Sequence, residues 1–205
     1  MAKDINKATA AEREGMIFIP DISGFTKFVH DTDIKLGKEI TAELLSIILQ
    51  ANMLHLKVSE IEGDAILFYR YGTLPTLKDL IDQYERMLIA FKRKLIEING
   101  QRHLQALELS LKLIVHFGPI AEYKLYGFKK LYGEAIIEAH RLLKNSIASH
   151  NYILVTNDFF DKVGNREADE MILPEWIRKE KAQPFTYFLY DTEILKLNVL
   201  QRNNL

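Results

Sequence analysis

The sequence predicts an α+β protein with a ferredoxin-like βαββαβ core, in which helices flank a mainly antiparallel sheet. Two observations lead to this class. Apolar stretches of strand length alternate with amphipathic stretches of helical period along the chain. Short glycine turns at 62–64 and 118–119 join adjacent strands, which favours hairpins. With 205 residues, of which 48% are hydrophobic, the chain can form one domain with a substantial core.

The first half of the chain is predicted to hold three strands and two helices. A strand at 15–20 ends at a proline and the turn DISG. Apolar residues spaced three and four apart predict helices at 38–52 and 77–99, the second ending at an Asn-Gly pair. Between these helices, strands at 54–61 and 65–71 form the first hairpin.

The second half continues with strands, a helix and a final strand. Strict alternation of leucines predicts a half-buried strand at 107–117, which turns at Gly118-Pro119 into a returning strand. Gly133 precedes an amphipathic stretch with the period of a helix. The predicted elements here are strands 107–117 and 120–126, a helix at 134–149, a strand at 152–155, a short helix beginning near 156–157, and a strand at 184–190.

We expect a flexible arm at 1–14, one domain at 15–195 and a tail at 196–205. The polar N-terminus lacks the apolar segment of a signal peptide, and no apolar run is long enough to cross a bilayer. Cysteine is absent, so neither disulfides nor thiolate metal sites are expected. The 27 basic and 28 acidic residues give a net charge of −1, which argues against nucleic-acid and membrane partners. A cytoplasmic protein is expected.

Two aspartates are the strongest candidates for chemistry. Asp21 follows the apolar run before the DISG turn, and Asp64 precedes the apolar run of the next hairpin. Two carboxylates at strand ends can hold Mg²⁺ or Mn²⁺ beside a phosphate, because these hard cations prefer oxygen ligands. The alternative is that each aspartate only stabilises a turn. The pair therefore suggests phosphoryl chemistry as a hypothesis.

Three segments resemble one known family. They are FIPDISGFTKFV, EIEGDAILF and VHFGPIAEYKLYGFKKLYGEAIIEAHRLL. In order and approximate spacing they are similar to the two metal-carboxylate turns, the His-x-Gly turn and the arginine-bearing helix of the class III adenylyl and guanylyl cyclases. The resemblance covers about residues 15–190. It implies a divergent member of that family.

The resemblance implies a homodimer with active sites shared between protomers, and a purine nucleoside triphosphate as substrate. Two Mg²⁺ or Mn²⁺ ions would bridge the aspartates and the triphosphate. The ribose 3′-hydroxyl would attack the α-phosphorus, and pyrophosphate would leave. By position the implied roles are metal ligands for Asp21, Asp64 and the carbonyl of Ile22, phosphate contacts for Gly24 and Phe25, and a phosphate contact across the dimer for Arg141.

Three positions carry the implied contacts to the base and the ribose. Glu60 stands at a base-reading position, where a carboxylate favours guanine over adenine. Lys130, at the second base-reading position, can donate to guanine O6. Ile137 stands where the family has an asparagine that orients the ribose, and a misplaced 3′-hydroxyl can cost on the order of a hundredfold in rate. A late basic contact to the triphosphate would come from Lys179 or Lys181.

Alternatives remain open at each position. Arg141 can instead pair with Glu138 or Glu134 on the helix surface, and Glu60 can be a solvated charge at a strand end. His116 is interpreted as a packing residue. The leading hypothesis is a cyclase that favours GTP slightly over ATP. Its rivals are a catalytically degenerate nucleotide-sensing or dimerisation module, favoured by Ile137 and Lys130, and an interaction domain without a nucleotide site.

Overall fold

The computed structural model describes residues 12–102, 108–164 and 171–195. Most of the predicted arm at 1–14 and the whole predicted tail at 196–205 fall outside these ranges, as does Leu107, the predicted start of a strand.

Within the described residues, eight strands form one sheet. Its order is β2-β3-β1-β4-β6-β8-β7, and β5 pairs with the outer part of β4. Neighbouring strands run antiparallel except β4 and β6. This confirms the predicted α+β class with a mainly antiparallel sheet. The strands are β1 (Arg13–Ser23), β2 (Lys57–Glu62), β3 (Ala65–Tyr71), β4 (Ser110–Leu125), β5 (Phe128–Tyr132), β6 (Tyr152–Thr156), β7 (Ile177–Ala182) and β8 (Phe185–Tyr190).

Helices cover both faces of the sheet. The two long helices α2 and α3 contact each other and share the larger hydrophobic core with one face, while α4 packs on the other face over β4 and β1. No helix in the described ranges is long and apolar enough to span a membrane. The helices are α1 (Phe25–Asp31), α2 (Ile34–Gln50), α3 (Leu77–Arg102), α4 (Glu134–Leu142) and α5 (Asn157–Val163).

Strand β1 is central and buried, and its alternation assigns its side chains to the two faces. Met16 and Phe18 belong to the core under α2 and α3, whereas Ile17 and Ile19 belong to the smaller core under α4. Because strand side chains alternate, Asp21 continues the row of Ile17 and Ile19 on the α4 face. The apolar pattern that builds the core therefore also determines which face carries the carboxylate.

Two predicted strand ends were wrong, because prolines were interpreted as stops. β1 continues through Pro20 to Ser23, and β4 continues through Pro119 to Leu125, so the second hairpin turns at Tyr126-Gly127. Pro119 lies opposite Glu14 of β1. The β1–β3 ladder has no partner for Pro20, and β4 is paired only with β1 at Pro119. A strand paired on one side uses its N–H groups only at alternate positions, so a proline can be accommodated.

Two predicted helix ends also moved. α4 ends at Leu142 instead of 149, because Asn145 replaces the next helical turn with side-chain bonds. Its Nδ2 donates to the Leu142 carbonyl at 2.7 Å, and its Oδ1 accepts from the Ile147 N–H at 2.9 Å. α3 continues past the Asn99-Gly100 pair to Arg102.

Strands β5 and β7 and helix α1 were not predicted, since the predicted returning strand at 120–126 is part of β4. β7 has the sequence IRKEKA, which lacks the apolar alternation of a half-buried strand, and it lies at one edge of the described sheet. Charged residues are common on edge strands, where they discourage pairing with another chain. Because β7 is mostly charged, the spacing of apolar residues does not predict it.

Candidate metal and nucleotide site

Pairing of β1 with β3 brings the two predicted carboxylates together. Asp21 lies opposite Ala65 in the β1–β3 ladder, and Asp64 occupies the turn immediately before Ala65. The Ile22 N–H donates to the Asp64 carbonyl at 3.2 Å, which ties the two segments by their backbones. Two residues far apart in sequence therefore lie at one end of the same strand pair.

The electrostatics of Asp64 reflect this proximity. Burial raises the pKa of its carboxyl from the usual 3.8 to about 6, and the charge of Asp21 adds to the increase. A hydrogen bond from the Asp64 backbone and the charge of Lys112 act in the opposite direction. The two carboxylates thus hold negative charge in a partly desolvated place, which favours binding of a cation.

Lys112 is a member of this site that the sequence analysis missed. It lies opposite Asp21 in the β1–β4 ladder, and its Nζ is 2.9 Å from Asp21 Oδ2. The same Nζ donates to the Leu143 carbonyl, just beyond α4, at 3.0 Å. The side chains of Lys112 and Asp21 are only 18% and 12% exposed, so this ion pair is largely desolvated.

The segment after Asp21 turns sharply into α1. Ile22 is buried in the larger core, Gly24 is exposed and Phe25 is half-buried. Gly24 has a φ of 86°, and a Cβ there would lie 2.8 Å from the Glu108 carbonyl oxygen. Only glycine fits this turn, which keeps Ile22, Gly24 and Phe25 within four residues of Asp21.

The two predicted base-reading residues contact each other. Glu60 of β2 and Lys130 of β5 form an ion pair and a hydrogen bond through Oε2 and Nζ. The hydrogen bond to Glu60, aided by its charge, raises the pKa of Lys130. Glu60 therefore supplies a hydrogen-bond acceptor, and Lys130 supplies a donor beside it.

The α4 residues Ile137 and Arg141 lie on the exposed surface of the helix. Ile137 is 62% exposed, and the Arg141 side chain is 74% exposed. Arg141 Nη1 pairs with Glu138 Oε2 at 2.9 Å, one turn earlier on the same helix. Within one protomer, the contact of Arg141 is therefore the helix-surface pair that was the alternative interpretation.

The remaining predicted residues lie elsewhere. His116 is buried and its Nδ1 is 3.0 Å from Thr156 Oγ1, while burial lowers its pKa, as expected of a packing residue. Lys179 and Lys181 are on β7, an edge strand. A cavity of about 560 Å³ between β4, α4 and α5 is lined in part by His116, but by none of the residues with an implied metal, phosphate, base or ribose contact.

The donor set fits a hard divalent cation that completes its shell with phosphate and water. Among residues 12–102, 108–164 and 171–195, no group of three or more histidine, aspartate or glutamate side chains is placed to hold a metal. Mg²⁺ commonly binds through one or two carboxylates plus substrate phosphates, and Asp21 and Asp64 supply that number. Burial and then the charge of Asp21 raise the pKa of Asp64, and a bound cation would offset the negative charge of both carboxylates, which supports the fit.

Comparison with known sequences gives two matches. A family model described as a protein of unknown function, DUF2652, matches residues 41–152. The uncharacterized protein Rv2561/Rv2562 of Mycobacterium tuberculosis is 28% identical over 122 residues. That alignment covers 57% of this chain, and the chain spans 57% of the length of that curated relative.

Comparison with solved structures gives class III cyclase folds. The adenylyl cyclase CyaB from P. aeruginosa matches with a TM-score of 0.64 and 14% identity, over 88% of this chain and 95% of that one. The guanylyl cyclase Cya2 matches with a TM-score of 0.60 and 15% identity, over 87% and 92%. A class III adenylyl cyclase-like ATP-binding protein from Pseudomonas aeruginosa matches with a TM-score of 0.59 and 14% identity, over 73% and 34%. At these identities the similarity establishes a class III cyclase-like fold.

Proposed function

This chain belongs to the DUF2652 family of proteins of unknown function, and we propose that it is a divergent class III cyclase-like domain that binds a purine nucleoside triphosphate with a divalent cation. The observation that carries the proposal is the meeting of Asp21 and Asp64 at one end of the β1–β3 pair. Their order along the chain is that of the two metal-carboxylate turns in the resemblance. Mg²⁺ or Mn²⁺ would be held by these carboxylates, with the Ile22 carbonyl as a further ligand.

The proposed reaction converts the triphosphate to a 3′,5′-cyclic nucleotide. A bond forms between the ribose 3′-oxygen and the α-phosphorus, the bond from that phosphorus to pyrophosphate breaks, and the hydroxyl proton is released. A bound cation would lower the pKa of the hydroxyl and neutralise phosphate charge. In this chain, the backbone around Gly24 and Phe25 would face the phosphates, and Arg141 would bind them from the partner protomer.

We propose GTP as the slightly preferred nucleotide. Glu60 can accept hydrogen bonds from guanine N1–H and N2–H₂, while the neighbouring Lys130 can donate to O6. The ion pair between these two side chains supports the assignment, because it keeps the Glu60 acceptor and the Lys130 donor side by side. Adenine would offer Glu60 only its N6–H₂ donors.

A product assay tests the proposal. Purified protein is incubated with GTP or with ATP, each with Mn²⁺ or Mg²⁺, and the products are identified by mass spectrometry. We expect a cyclic nucleotide from the wild type and none from Asp64→Asn, which leaves the Lys112–Asp21 pair in place. A cyclic product that Asp64→Asn forms equally well would overturn the metal assignment.

A second candidate function is nucleotide binding without turnover. Ile137 favours it, because an exposed aliphatic side chain at the implied ribose position cannot orient the 3′-hydroxyl by a hydrogen bond. A structural neighbour that is an adenylyl cyclase-like ATP-binding protein is consistent with this variant of the fold. Metal-dependent GTP or ATP binding in equilibrium dialysis, without any cyclic product, would select this second candidate.

We further propose a homodimer with shared sites. The Arg141 side chain is 74% exposed and pairs with Glu138 on the surface of α4, so it is accessible to a second copy of the chain. The β4–β5 hairpin offers an apolar surface for association, with Leu125, Tyr126, Phe128 and Tyr132 all exposed. Exposed apolar clusters of this kind are typical of interfaces.

Mixing two deficient variants should restore binding if the sites are shared. Asp64→Asn and Arg141→Gln are each expected to bind a fluorescent GTP analogue poorly with Mn²⁺. After subunit exchange, random pairing makes half of the dimers mixed, each with one intact site, so about a quarter of wild-type binding should return. Binding that equals the average of the two separate variants would show that each site lies within one protomer.

A further inference from the structure

Lys112 provides a positive charge beside Asp21, one of the two carboxylates proposed to hold a cation. Its Nζ lies 2.9 Å from Asp21 Oδ2, and the Leu143 carbonyl accepts a second hydrogen bond from it at 3.0 Å. The ammonium is therefore anchored both to β1 and to the segment that follows α4. Both members of the ion pair are more than four-fifths buried, so solvent screens this charge weakly.

This ammonium changes the charge balance of the site. Asp21 and Asp64 contribute two negative charges when ionised, and Lys112 offsets one of them. A single divalent cation would then be enough to neutralise the negative charge that remains on the two carboxylates. A second divalent cation near Asp21 would have to approach an oxygen that already accepts a charge-assisted bond, and it would be repelled by the ammonium.

We infer that Lys112 takes the place of one of the two divalent cations implied by the class III resemblance, so that the site binds a single Mg²⁺ or Mn²⁺ with each nucleotide. The inference rests on the proposed function, since it concerns the same carboxylates. Asp64 and Asp21 would hold that single cation. Lys112 acts as a positioning residue and sets the number of cations.

Electron paramagnetic resonance of Mn²⁺ tests the inference without measuring turnover. The full chain is saturated with Mn²⁺ and a GTP analogue that has a methylene group between the α- and β-phosphates, which cannot be cyclised. Two metal ions in a shared site lie about 4 Å apart and their spins couple, whereas a single ion gives an uncoupled spectrum. We expect an uncoupled spectrum and one bound Mn²⁺ per nucleotide.

The matched variant is Lys112→Gln, which removes the charge and keeps a side chain that can donate to the Leu143 carbonyl. We expect it to bind two Mn²⁺ ions with a coupled spectrum, and to bind Mn²⁺ alone about tenfold more tightly or better, because a neighbouring positive charge is lost. Lys112→Met serves as a second variant if Lys112→Gln unfolds at a lower temperature than the wild type.

Each outcome decides the question. A coupled pair in the wild type, lost in Asp64→Asn, would overturn the single-cation inference and leave the proposed function standing. One uncoupled ion in wild type and in both Lys112 variants would show that Lys112 does not set the number. Absence of bound Mn²⁺ from the wild type and from all variants would overturn both the inference and the metal-dependent function.

Discussion

Asp64→Asn should stabilise the protein at neutral pH while it abolishes metal-dependent nucleotide binding. Burial and the charge of Asp21 raise the pKa of Asp64 to about 6, so ionised Asp64 is unfavourable in the folded protein without a cation. An amide of similar shape removes that charge. The same change takes away one of the two carboxylates proposed to hold the cation, and active sites commonly carry such a conflict between stability and function.

The pH dependence follows from the direction of the shift. Between about pH 4 and pH 6 the unfolded chain has released the Asp64 proton while the folded protein retains it, so the contribution of Asp64 to the free energy of unfolding falls as pH rises. The full shift corresponds to roughly 3 kcal/mol. Because Asp64 is only half-buried, solvent screening reduces the expected gain in Asp64→Asn to roughly 1 kcal/mol above pH 6.

Urea unfolding in metal-free buffer measures this difference at several pH values. The gain should be constant above about pH 6, decline through the interval below it, and vanish near pH 4, where Asp64 is protonated in both states. Glu62→Gln is a matched control, since Glu62 is an exposed carboxylate in the same hairpin. An equal gain in Glu62→Gln, or a gain that persists at pH 3, would contradict the assignment to Asp64.

Ile137→Asn should raise the rate of cyclic nucleotide formation by about ten- to a hundredfold. The asparagine would supply the amide that the class III resemblance implies for orienting the ribose. Because Ile137 is 62% exposed on α4, the substitution should change the free energy of unfolding by less than about 0.5 kcal/mol. Product formation from GTP at saturating Mn²⁺, followed by mass spectrometry, measures the effect.

Ile137→Ala is the control, since it removes the isoleucine without adding an amide. It should turn over no faster than the wild type. If Ile137→Asn and Ile137→Ala behave alike, the isoleucine is not what limits turnover. If Ile137→Asn binds GTP and still forms no product, binding without turnover is the better description of this protein.

The carboxylate pair could be predicted from the sequence, whereas Lys112 could not. Asp21 and Asp64 each border an apolar run, and such borders are visible along a single stretch of chain. Lys112 occupies an alternate position of a half-buried strand, where a lysine is ordinarily solvent-facing. Its contact with Asp21 depends on the register between β1 and β4, which brings together residues 91 positions apart. A register of this kind is set by the whole sheet.

The fold class was predictable for a similar reason, and the ends of several elements were not. The spacing of apolar residues predicted the long helices and the hairpin at Asp64. Pro20 and Pro119 were misleading, because a proline ends a strand only where a neighbouring strand would accept a hydrogen bond from its missing N–H group. β7 was missed because its charges suit an edge, and an edge is a property of the assembled sheet.

Asp21 and Asp64 lie in parts of the sheet that we expect to differ in local stability. β1, which carries Asp21, is paired on both sides, whereas β2, which leads into the Asp64 turn, lies at the edge and is largely exposed. Amide hydrogens near Asp64 should therefore exchange with solvent through local opening, while those of β1 wait for much larger unfolding. A ligand that binds both residues must therefore keep the β2–β3 hairpin, at the edge of the sheet, in place next to β1. Its affinity is then set by the local stability of the β2–β3 edge as well as by the carboxylates themselves.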